Sequence, residues 1–193
     1  MNLIWRAYQK NTGAIIEDDR VVSYGDAAAE LASTQSASTG LATVLCDLSH
    51  FGLIHFSGED AESFLQGQLS CDVRKTAPSA ALYGSYCNPK GRMLASFLIW
   101  RDRNGADGCY LMQLPLALLT SVQKRLSMYV LRAKVKLADS SGMRVRMAVA
   151  GSHAKSLIQE IMGAVPLAHL DVIHCEKGSA IRLAKGRFEL VIT

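Results

Sequence analysis

A strand, a tight turn and a second strand are predicted by the stretch YGSYCNPKGRMLASFLIW, residues 83–100, which constrains the fold more than any other segment. Residues 82–87 and 92–101 predict two antiparallel strands joined across Asn88-Pro89-Lys90-Gly91. The proline presets one backbone dihedral of the turn, and the glycine permits a positive one. The chain therefore needs an antiparallel sheet to hold this hairpin.

Strand and helix patterns alternate along the rest of the chain. Residues 52–56 predict a strand, Ser57 is placed to cap a helix over 59–69, and the first turn of that helix is acidic. Further strands are predicted at 109–114, 133–137, 145–150, near 172, at 180–183 and at 188–192, with helices over 115–129 and 153–162. Strands joined by hairpins and packed by helices predict an α+β fold, with antiparallel sheets in two similar lobes. We find no sequence repeat behind that similarity.

Three parts are predicted along the chain: an N-terminal segment, 1–40, that is partly flexible, a first lobe, 41–140, and a second lobe, 141–193. The polar stretch STQSASTG, 33–40, has nothing to bury and predicts a flexible loop. The last predicted strand, in GRFELVIT, would normally be followed by an element that completes its lobe. We therefore expect a fold that is incomplete at the C-terminus.

The composition fits a globular cytoplasmic protein. Hydrophobic residues make up 49% of the chain, which is ample for a core, and no apolar run is as long as a membrane span. The N-terminus lacks the features of a secretory signal. Five cysteines without a CxxC pair predict reduced thiols, and five scattered histidines do not have the spacing of a zinc site. We expect no metal site and no membrane partner.

Charge is distributed unevenly along the sequence. Residues 1–120 carry nine Lys and Arg against twelve Asp and Glu, and residues 121–193 carry twelve against five, so their net charges are −3 and +7. A basic region attracts an anionic partner such as RNA or a polyglutamylated cofactor. It is more typical of a solvated surface, because no aromatic-interleaved basic run or nucleic-acid motif accompanies it.

Five segments carry a family resemblance through their order and spacing. They are GEDAESFLQGQLSCDV, YCNPKGRMLASFLIWR, RLSMYVLRAKVKLAD, MAVAG and GRFELVIT, which begin at residues 58, 86, 125, 147 and 186. Together they resemble the YgfZ family of folate-binding, tRNA-modifying proteins, relatives of the glycine-cleavage T protein, an aminomethyltransferase. The resemblance runs from about Leu45 to Thr193.

The resemblance implies a T-protein-like folate-binding fold and a role in tRNA modification and iron-sulfur cluster assembly or repair. Its implied cofactor is tetrahydrofolate or a derivative, and its implied partners are folate and tRNA or iron-sulfur proteins. The family's functional cysteine lies in a Lys-Gly-Cys-Tyr-x-Gly-Gln-Glu segment, which these 193 residues do not contain. That role is therefore assigned to none of the five cysteines.

The folate site implied by the resemblance consists of Phe51, Tyr83, Asn88, Lys90 and Arg92. Phe51 stands where the family has a tryptophan, and its ring would stack on a flat heterocycle. Asn88 and the turn amides would face that heterocycle, and Lys90 and Arg92 would attract an anionic tail or an RNA phosphate. Without the resemblance, the turn is an ordinary exposed hairpin end, and Phe51 is an ordinary core residue.

The aminomethyltransferase pattern is broken at Ser96. In that pattern a tyrosine, an asparagine, a glycine and a catalytic aspartate recur at relative positions 0, 5, 8 and 13, and counting from Tyr83 the fourth position is Ser96. A serine hydroxyl has no carboxylate state near neutral pH and cannot take up a folate amine proton. The sequence thus predicts a folate-binding protein without aminomethyltransferase activity. The alternatives are a folate-dependent one-carbon transferase and a cofactor-free basic RNA-binding module.

Overall fold

The structure, a computed structural model, describes residues 2–76, 79–102, 109–183 and 186–193. It divides into two compact units, of which unit 1 comprises Met1–His50 and Gly142–Thr193, and unit 2 comprises Phe51–Ser141. Each unit contains a five-stranded antiparallel sheet accompanied by helices. The predicted α+β class is confirmed.

In chain order the elements are α1 (Leu3–Asn11), β1 (Ile15–Glu17), β2 (Arg20–Ser23), α2 (Ala27–Ser38), β3 (Thr43–Asp47), β4 (Phe51–Ser57), α3 (Ala61–Gln68), a 3₁₀ turn (Val73–Lys75), β5 (Leu82–Cys87), β6 (Met93–Arg101), β7 (Tyr110–Pro115), α4 (Leu116–Ser127), β8 (Lys136–Asp139), β9 (Val145–Gly151), α5 (Ala154–Met162), β10 (Val172–Cys175), β11 (Gly178–Leu183) and β12 (Arg187–Ile192). None of the helices in the described ranges is long and apolar enough to span a lipid bilayer.

Unit 2 is a sheet with the strand order β5-β6-β7-β4-β8, packed by α3 and α4. The hairpin predicted from residues 83–100 is confirmed, because β5 pairs with β6 from Leu82↔Ile99 to Cys87↔Met93. Alternate strand residues meet the two helices in one core, and each large side chain buried there contributes about 1.5–3 kcal/mol. Among them are Ile54, Phe56, Leu65, Phe97, Ile99, Tyr110, Met112 and Leu126.

Unit 1 has a sheet with the strand order β10-β11-β12-β9-β3, a separate hairpin of β1 and β2, and α1, α2 and α5. Its core contains Val149, Ile158, Phe188 and Leu190, with α5 packed on the sheet. The N-terminal helix is attached through Trp5, whose Nε1 donates a 2.7 Å hydrogen bond to Asp47 Oδ1 at the end of β3. The N-terminal segment is thereby part of unit 1.

The two units share one topology, which confirms the prediction of two similar lobes. The run β4-α3-β5-β6-β7 of unit 2 corresponds to β9-α5-β10-β11-β12 of unit 1, with the same strand order. The fifth position of each sheet is filled differently. In unit 2 it is taken by β8, which follows α4, and in unit 1 by β3, which follows α2 near the N-terminus. The helix and strand that complete unit 1 therefore precede the rest of its sheet in the chain.

This arrangement differs from the predicted boundary at residue 40. β3 pairs with β9 along its whole length, from Thr43↔Gly151 to Asp47↔Met147. Those backbone hydrogen bonds join residues about a hundred positions apart, a pairing that no local pattern in the sequence indicates. Residues 1–50 are therefore grouped with 142–193, and the boundary between the units on the C-terminal side lies between Ser141 and Gly142.

The flexible loop predicted for STQSASTG, 33–40, is wrong. The helix α2 continues to Ser38, with the Asp26 side chain capping its N-terminus through Ala29 N. Thr34 Oγ1 donates to Glu30 O at 2.9 Å, so hydroxyl groups that would otherwise compete with the helix bond back to its own carbonyls. Ala37 is buried, which gives this polar segment one packed face.

The predicted cap at Ser57 is also wrong. Ser57 is the last residue of β4 and pairs with Lys136, and the chain turns at Gly58, where φ is +124°. Asp60 occupies the N-cap position of α3 without a side-chain capping bond. Its Oδ2 instead accepts from Lys134 N at 2.7 Å.

A sequence repeat does exist, contrary to the prediction. Residues 58–66, GEDAESFLQ, and 151–159, GSHAKSLIQ, share Gly, Ala, Ser and Gln at the same four positions. Both segments turn from a strand into a helix, and the two N-cap residues have nearly the same backbone angles, φ −96° and ψ 9° at Asp60 and φ −98° and ψ 6° at His153. The repeat is short because only the turn and the first helical residues demand particular side chains.

Candidate ligand-binding face of unit 2

The sheet of unit 2 has two chemically different faces. One meets α3 and α4 in the core described above; the other, here called the site face, carries the alternate residues of each strand. Strand partners directly opposite each other share a face. The register Tyr83↔Leu98, Leu98↔Gln113 and Leu53↔Gln113 therefore places these side chains on the site face.

Two of the five predicted folate-binding residues lie on the site face. Phe51 begins β4, pairs with Pro115 and is half-buried, and Tyr83 lies on β5 with 56% of its surface exposed. Both residues have interactions within the structure. The strands β4 and β5 are three positions apart in the sheet, a separation of about 14 Å. The two rings therefore flank the site face instead of touching each other.

The other three predicted residues lie in the turn at the end of the hairpin. Asn88 organises this turn, because its Oδ1 accepts from Lys90 N and Arg92 N, each at 3.0 Å. Gly91 has a φ of +74°, as the predicted turn requires. Lys90 and Arg92 are exposed. With its oxygen engaged, Asn88 retains only its Nδ2 group for a ligand.

Two site-face residues escaped the sequence-based prediction. Gln113 on β7 is 5% exposed and Trp100 on β6 is fully buried, yet Gln113 Oε1 and Trp100 Nε1 have no hydrogen-bond partner within the described ranges. Gln113 could have been identified from the sequence, because it is the single polar residue in the otherwise apolar strand YLMQLP. A buried acceptor or donor without a partner costs about 1–3 kcal/mol, so each of these atoms would be stabilised by any hydrogen-bonding group that reached it.

Phe51, Gln113 and Trp100 form a diagonal line across three adjacent strands. Gln113 pairs with Leu53, two residues after Phe51, and with Leu98, two residues before Trp100. Diagonal neighbours of this kind have Cβ atoms about 7–8 Å apart. The line thus combines an aromatic ring, an unpartnered acceptor and an unpartnered donor.

A histidine and a carboxylate lie near each other at the end of the site face that contains Trp100. His55 pairs with Leu111 and so shares the face of Trp100, and its Nε2 lies 3.8 Å from Asp102 Oδ2. The Asp102 side chain is almost fully buried. Protonation of the imidazole would place opposite charges side by side at this end of the face.

Ser96 also lies on the site face, where the aminomethyltransferase pattern requires a carboxylate. It pairs with Ser85 and stands two residues before Leu98 on β6, with its side chain exposed. The structure therefore places an exposed hydroxyl at the fourth position of that pattern.

Outside the site face, the ionisable groups of the described residues show no reactive cluster. Burial raises the pKa values of the Cys46, Cys71 and Cys109 thiols, which favours the uncharged and less nucleophilic form. Burial and the hydrogen bond to Glu62 raise the pKa of Tyr110 to about 12. Within the described ranges, no three His, Cys, Asp or Glu side chains are grouped closely enough to hold a metal ion.

Comparisons with known proteins agree with this architecture. Residues 9–185 match the family model described as the GCVT N-terminal domain. The chain is 34% identical over 144 residues to the tRNA-modifying protein YgfZ of Colwellia psychrerythraea, an alignment that covers 74% of this chain and 42% of the relative. It is 29% identical over 159 residues to the protein of the same name from Vibrio vulnificus strain CMCP6, with 82% and 46% covered. The chain spans less than half the length of these curated relatives.

Among solved structures, the chain is similar to glycine cleavage system aminomethyltransferase T from Bartonella henselae. The TM-score is 0.78 at 17% identity, and the match covers 100% of this chain and 53% of that protein. This likeness confirms the predicted T-protein-like fold, and the YgfZ-named relatives confirm the resemblance found in the sequence. The chain belongs to the GCVT N-terminal domain family.

Proposed function

We propose that this chain binds a reduced folate, tetrahydrofolate or a derivative, on the site face of unit 2. The observation that carries the proposal is the pair of buried atoms without partners, Gln113 Oε1 and Trp100 Nε1. A pterin ring is flat and has both N–H donors and ring acceptors on its edge. It would therefore satisfy the glutamine oxygen and the indole N–H together.

The remaining site residues fit the other parts of the same ligand. Phe51 and Tyr83 would contact the planes of its aromatic parts, which stabilises such contacts by about 0.5–1.5 kcal/mol beyond the buried area. Asn88 Nδ2, Lys90 and Arg92, at the end of the hairpin, would attract the carboxylates of its glutamate tail. When bound, a tetrahydrofolate supplies a carrier of one-carbon units.

We further propose that the chain acts within a tRNA-modifying protein that supports iron-sulfur cluster assembly or repair. Support for the tRNA role comes from the two relatives named tRNA-modifying protein YgfZ. Aminomethyl transfer is not part of the proposal, because Ser96 cannot act as the carboxylate of that reaction. The folate would thus serve a binding role on this chain.

Ligand-observed NMR with 5-formyltetrahydrofolate tests the folate proposal, because saturation transfer detects weak binding. We expect saturation of the pterin and aminobenzoate protons in the unaltered chain and a strong reduction in Phe51→Ala and Gln113→Ala. Tyr83→Ala should reduce it as well, whereas Tyr24→Ala, which removes another exposed tyrosine, should not. If the unaltered chain gives no saturation transfer at millimolar ligand, the chain does not bind folate on its site face.

A further inference from the structure

The folded chain concentrates its excess charge in one unit. Unit 2 carries eleven Lys and Arg against seven Asp and Glu, whereas unit 1 carries ten against ten. The whole net charge of +4 therefore belongs to unit 2. The sequence had placed the basic excess in its C-terminal part, but residues 142–193 are balanced by the acidic N-terminal segment in unit 1.

Within unit 2, the positive charge is concentrated around the end of α4. The segment 109–138 contains five Lys and Arg and no Asp or Glu. Lys134 forms an ion pair with Glu59 at 2.8 Å. Lys124 and Arg132 are exposed, and neither forms an ion pair with any described residue. A basic last turn complements the helix dipole, which accounts for Lys124 and Arg125, but Arg132 lies beyond the helix.

An exposed aromatic ring follows Lys124 and Arg125 in the chain. Tyr129 is 43% exposed, and both Tyr129 and Arg125 interact with the buried side chain of Tyr86, to which Arg125 is also hydrogen-bonded. The turn that follows is fixed by a hydrogen bond from Ala133 N to Val130 O at 2.8 Å. This turn holds Leu131 at a φ of +44° with 87% of its surface exposed, so its conformation is not explained by core packing.

We propose that Lys124, Arg125, Tyr129 and Arg132, here called the α4 surface, bind RNA. The cations would neutralise phosphates, and the tyrosine ring would stack on an unpaired base. Charge complementarity favours RNA, because the segment contains no carboxylate of its own, and Glu59 and Asp60, which reach it near the end of α4, bind Lys134, a residue outside the α4 surface. The choice of tRNA as the natural RNA rests on the proposed function. The α4 surface is separate from the residues assigned to folate.

Charge reversal at matched sites tests the α4 surface. The double variant Lys124→Glu/Arg132→Glu is compared with Lys10→Glu/Lys155→Glu, which changes two exposed cations of unit 1 and alters the net charge equally. Binding of unfractionated tRNA is measured by filter retention over a series of salt concentrations. We expect the α4 variant to lose about tenfold or more in affinity at low salt and to lower the salt slope by about 2, the value for two lost phosphate contacts.

The control variant should change the affinity by less than about threefold, the effect of net charge alone. Tyr129→Ala should weaken binding by about fivefold or more, and Tyr129→Phe should retain it, because stacking needs only the ring.

Equal losses in both double variants would overturn the proposal, as would the absence of tRNA binding by the unaltered chain. A changed oligomeric state with unchanged tRNA affinity would instead identify a protein interface and also overturn it. Folate binding, followed by NMR in the same variants, should stay intact, so failure of the RNA surface and failure of the folate site are distinguishable.

Discussion

The sheets of unit 1 and unit 2 share a topology but differ in the side chains that they bury on one face. This is the face that points away from α5 in unit 1 and away from α3 in unit 2. When Gly58 is aligned with Gly151, the strand registers define equivalent positions in the two sheets. In unit 1, buried charges occupy positions that are aliphatic in unit 2. In unit 2, buried neutral polar groups occupy positions that are aliphatic in unit 1. The equivalent pairs are Leu53 and Arg146, Leu111 and Glu189, Gln113 and Val191, and Trp100 and Ile181.

This difference lies in the charge of the buried groups. Arg146 and Glu189 have opposite charges and both have interaction partners within the protein, although Arg146 Nε and Nη1 and Glu189 Oε1 have no hydrogen-bond partner among the described atoms. A buried charge must be paired to be tolerated, so these groups serve the fold of unit 1. Gln113 Oε1 and Trp100 Nε1 lack partners among the described atoms. Topology therefore fixes where polar groups are buried in such a sheet, and the individual side chains decide whether those groups are charged or neutral.

Beneath these faces, the two cores keep a common contact. Arg101 lies over the ring of Tyr110 at 5.3 Å in unit 2, and Arg182 lies over the ring of Phe188 at 6.0 Å in unit 1. Both rings are fully buried. They occupy equivalent positions, because Tyr110 pairs with Phe56, Phe188 pairs with Val149, and Phe56 and Val149 are equivalent when Gly58 is aligned with Gly151. The units thus differ at this position by one hydroxyl group.

The largest expected effect concerns the glycine that turns each strand into its helix. Gly58 and Gly151 have φ values of +124° and +112°, and an added Cβ would collide with the carbonyl oxygens of Lys134 and Ala42, respectively. Because strain and collision add, Gly58→Ala and Gly151→Ala should each lower the free energy of unfolding by about 3 kcal/mol or more. Urea denaturation followed by circular dichroism measures this change.

Gly67→Ala is the control for these variants. Gly67 lies inside α3 with no heavy atom within 4 Å of its added Cβ, so alanine should raise the free energy of unfolding by about 0.5–1 kcal/mol. Equal costs at Gly58 and Gly151 would establish that the two junctions are energetically equivalent. Tolerance of alanine at either site would contradict the equivalence that the backbone angles indicate.

A smaller effect is expected from exchanging the polar character of Gln113 and Val191. Gln113→Met keeps the shape but removes an unsatisfied acceptor, so it should raise the free energy of unfolding by about 1 kcal/mol. The same variant should bind folate at least about tenfold more weakly. Val191→Thr adds a hydroxyl at the equivalent position of unit 1 and should cost about 1–2 kcal/mol. Urea denaturation and ligand-observed NMR measure both variants, and a destabilised Gln113→Met would mean that the glutamine oxygen is satisfied in the protein.

The sequence predicts local features of this fold better than contacts between distant residues. The hairpin around Asn88 follows from a proline and a glycine at fixed turn positions. The helical course of residues 33–38 was missed because Ser and Thr lower helix propensity, while their bonds to earlier carbonyls and the burial of Ala37 appear only in the structure. The pairing of β3 with β9 depends on the whole fold. Gln113 was missed because burial without a partner is a property of three-dimensional structure.

The smallest effect at neutral pH is expected for Tyr110→Phe, which makes unit 2 resemble unit 1 at this position. Tyr110 donates a 2.8 Å hydrogen bond to Glu62 Oε2, and its loss should cost about 1 kcal/mol. The pKa of Tyr110 is raised from the ordinary 10.0 to about 12, chiefly by burial and then by Glu62. The unfolded chain therefore loses this proton at lower pH than the folded chain. The stabilisation linked to the protonated hydroxyl is complete below pH 10.0 and is lost as the pH rises from there through about 12.

Urea denaturation of the unaltered chain and of Tyr110→Phe between pH 8 and pH 11.5 measures this difference. The stability of the unaltered chain should fall more steeply above pH 10, so the two curves should converge, because phenylalanine has no proton to lose. Tyr8→Phe, which removes the hydroxyl of an exposed tyrosine of unit 1, is the matched control. Parallel curves for the unaltered chain and Tyr110→Phe would show that the buried hydroxyl titrates alike in the folded and unfolded chain. The extra hydroxyl of unit 2 would then make no contribution to the pH dependence of stability, and Tyr110 and Phe188 would be interchangeable core rings.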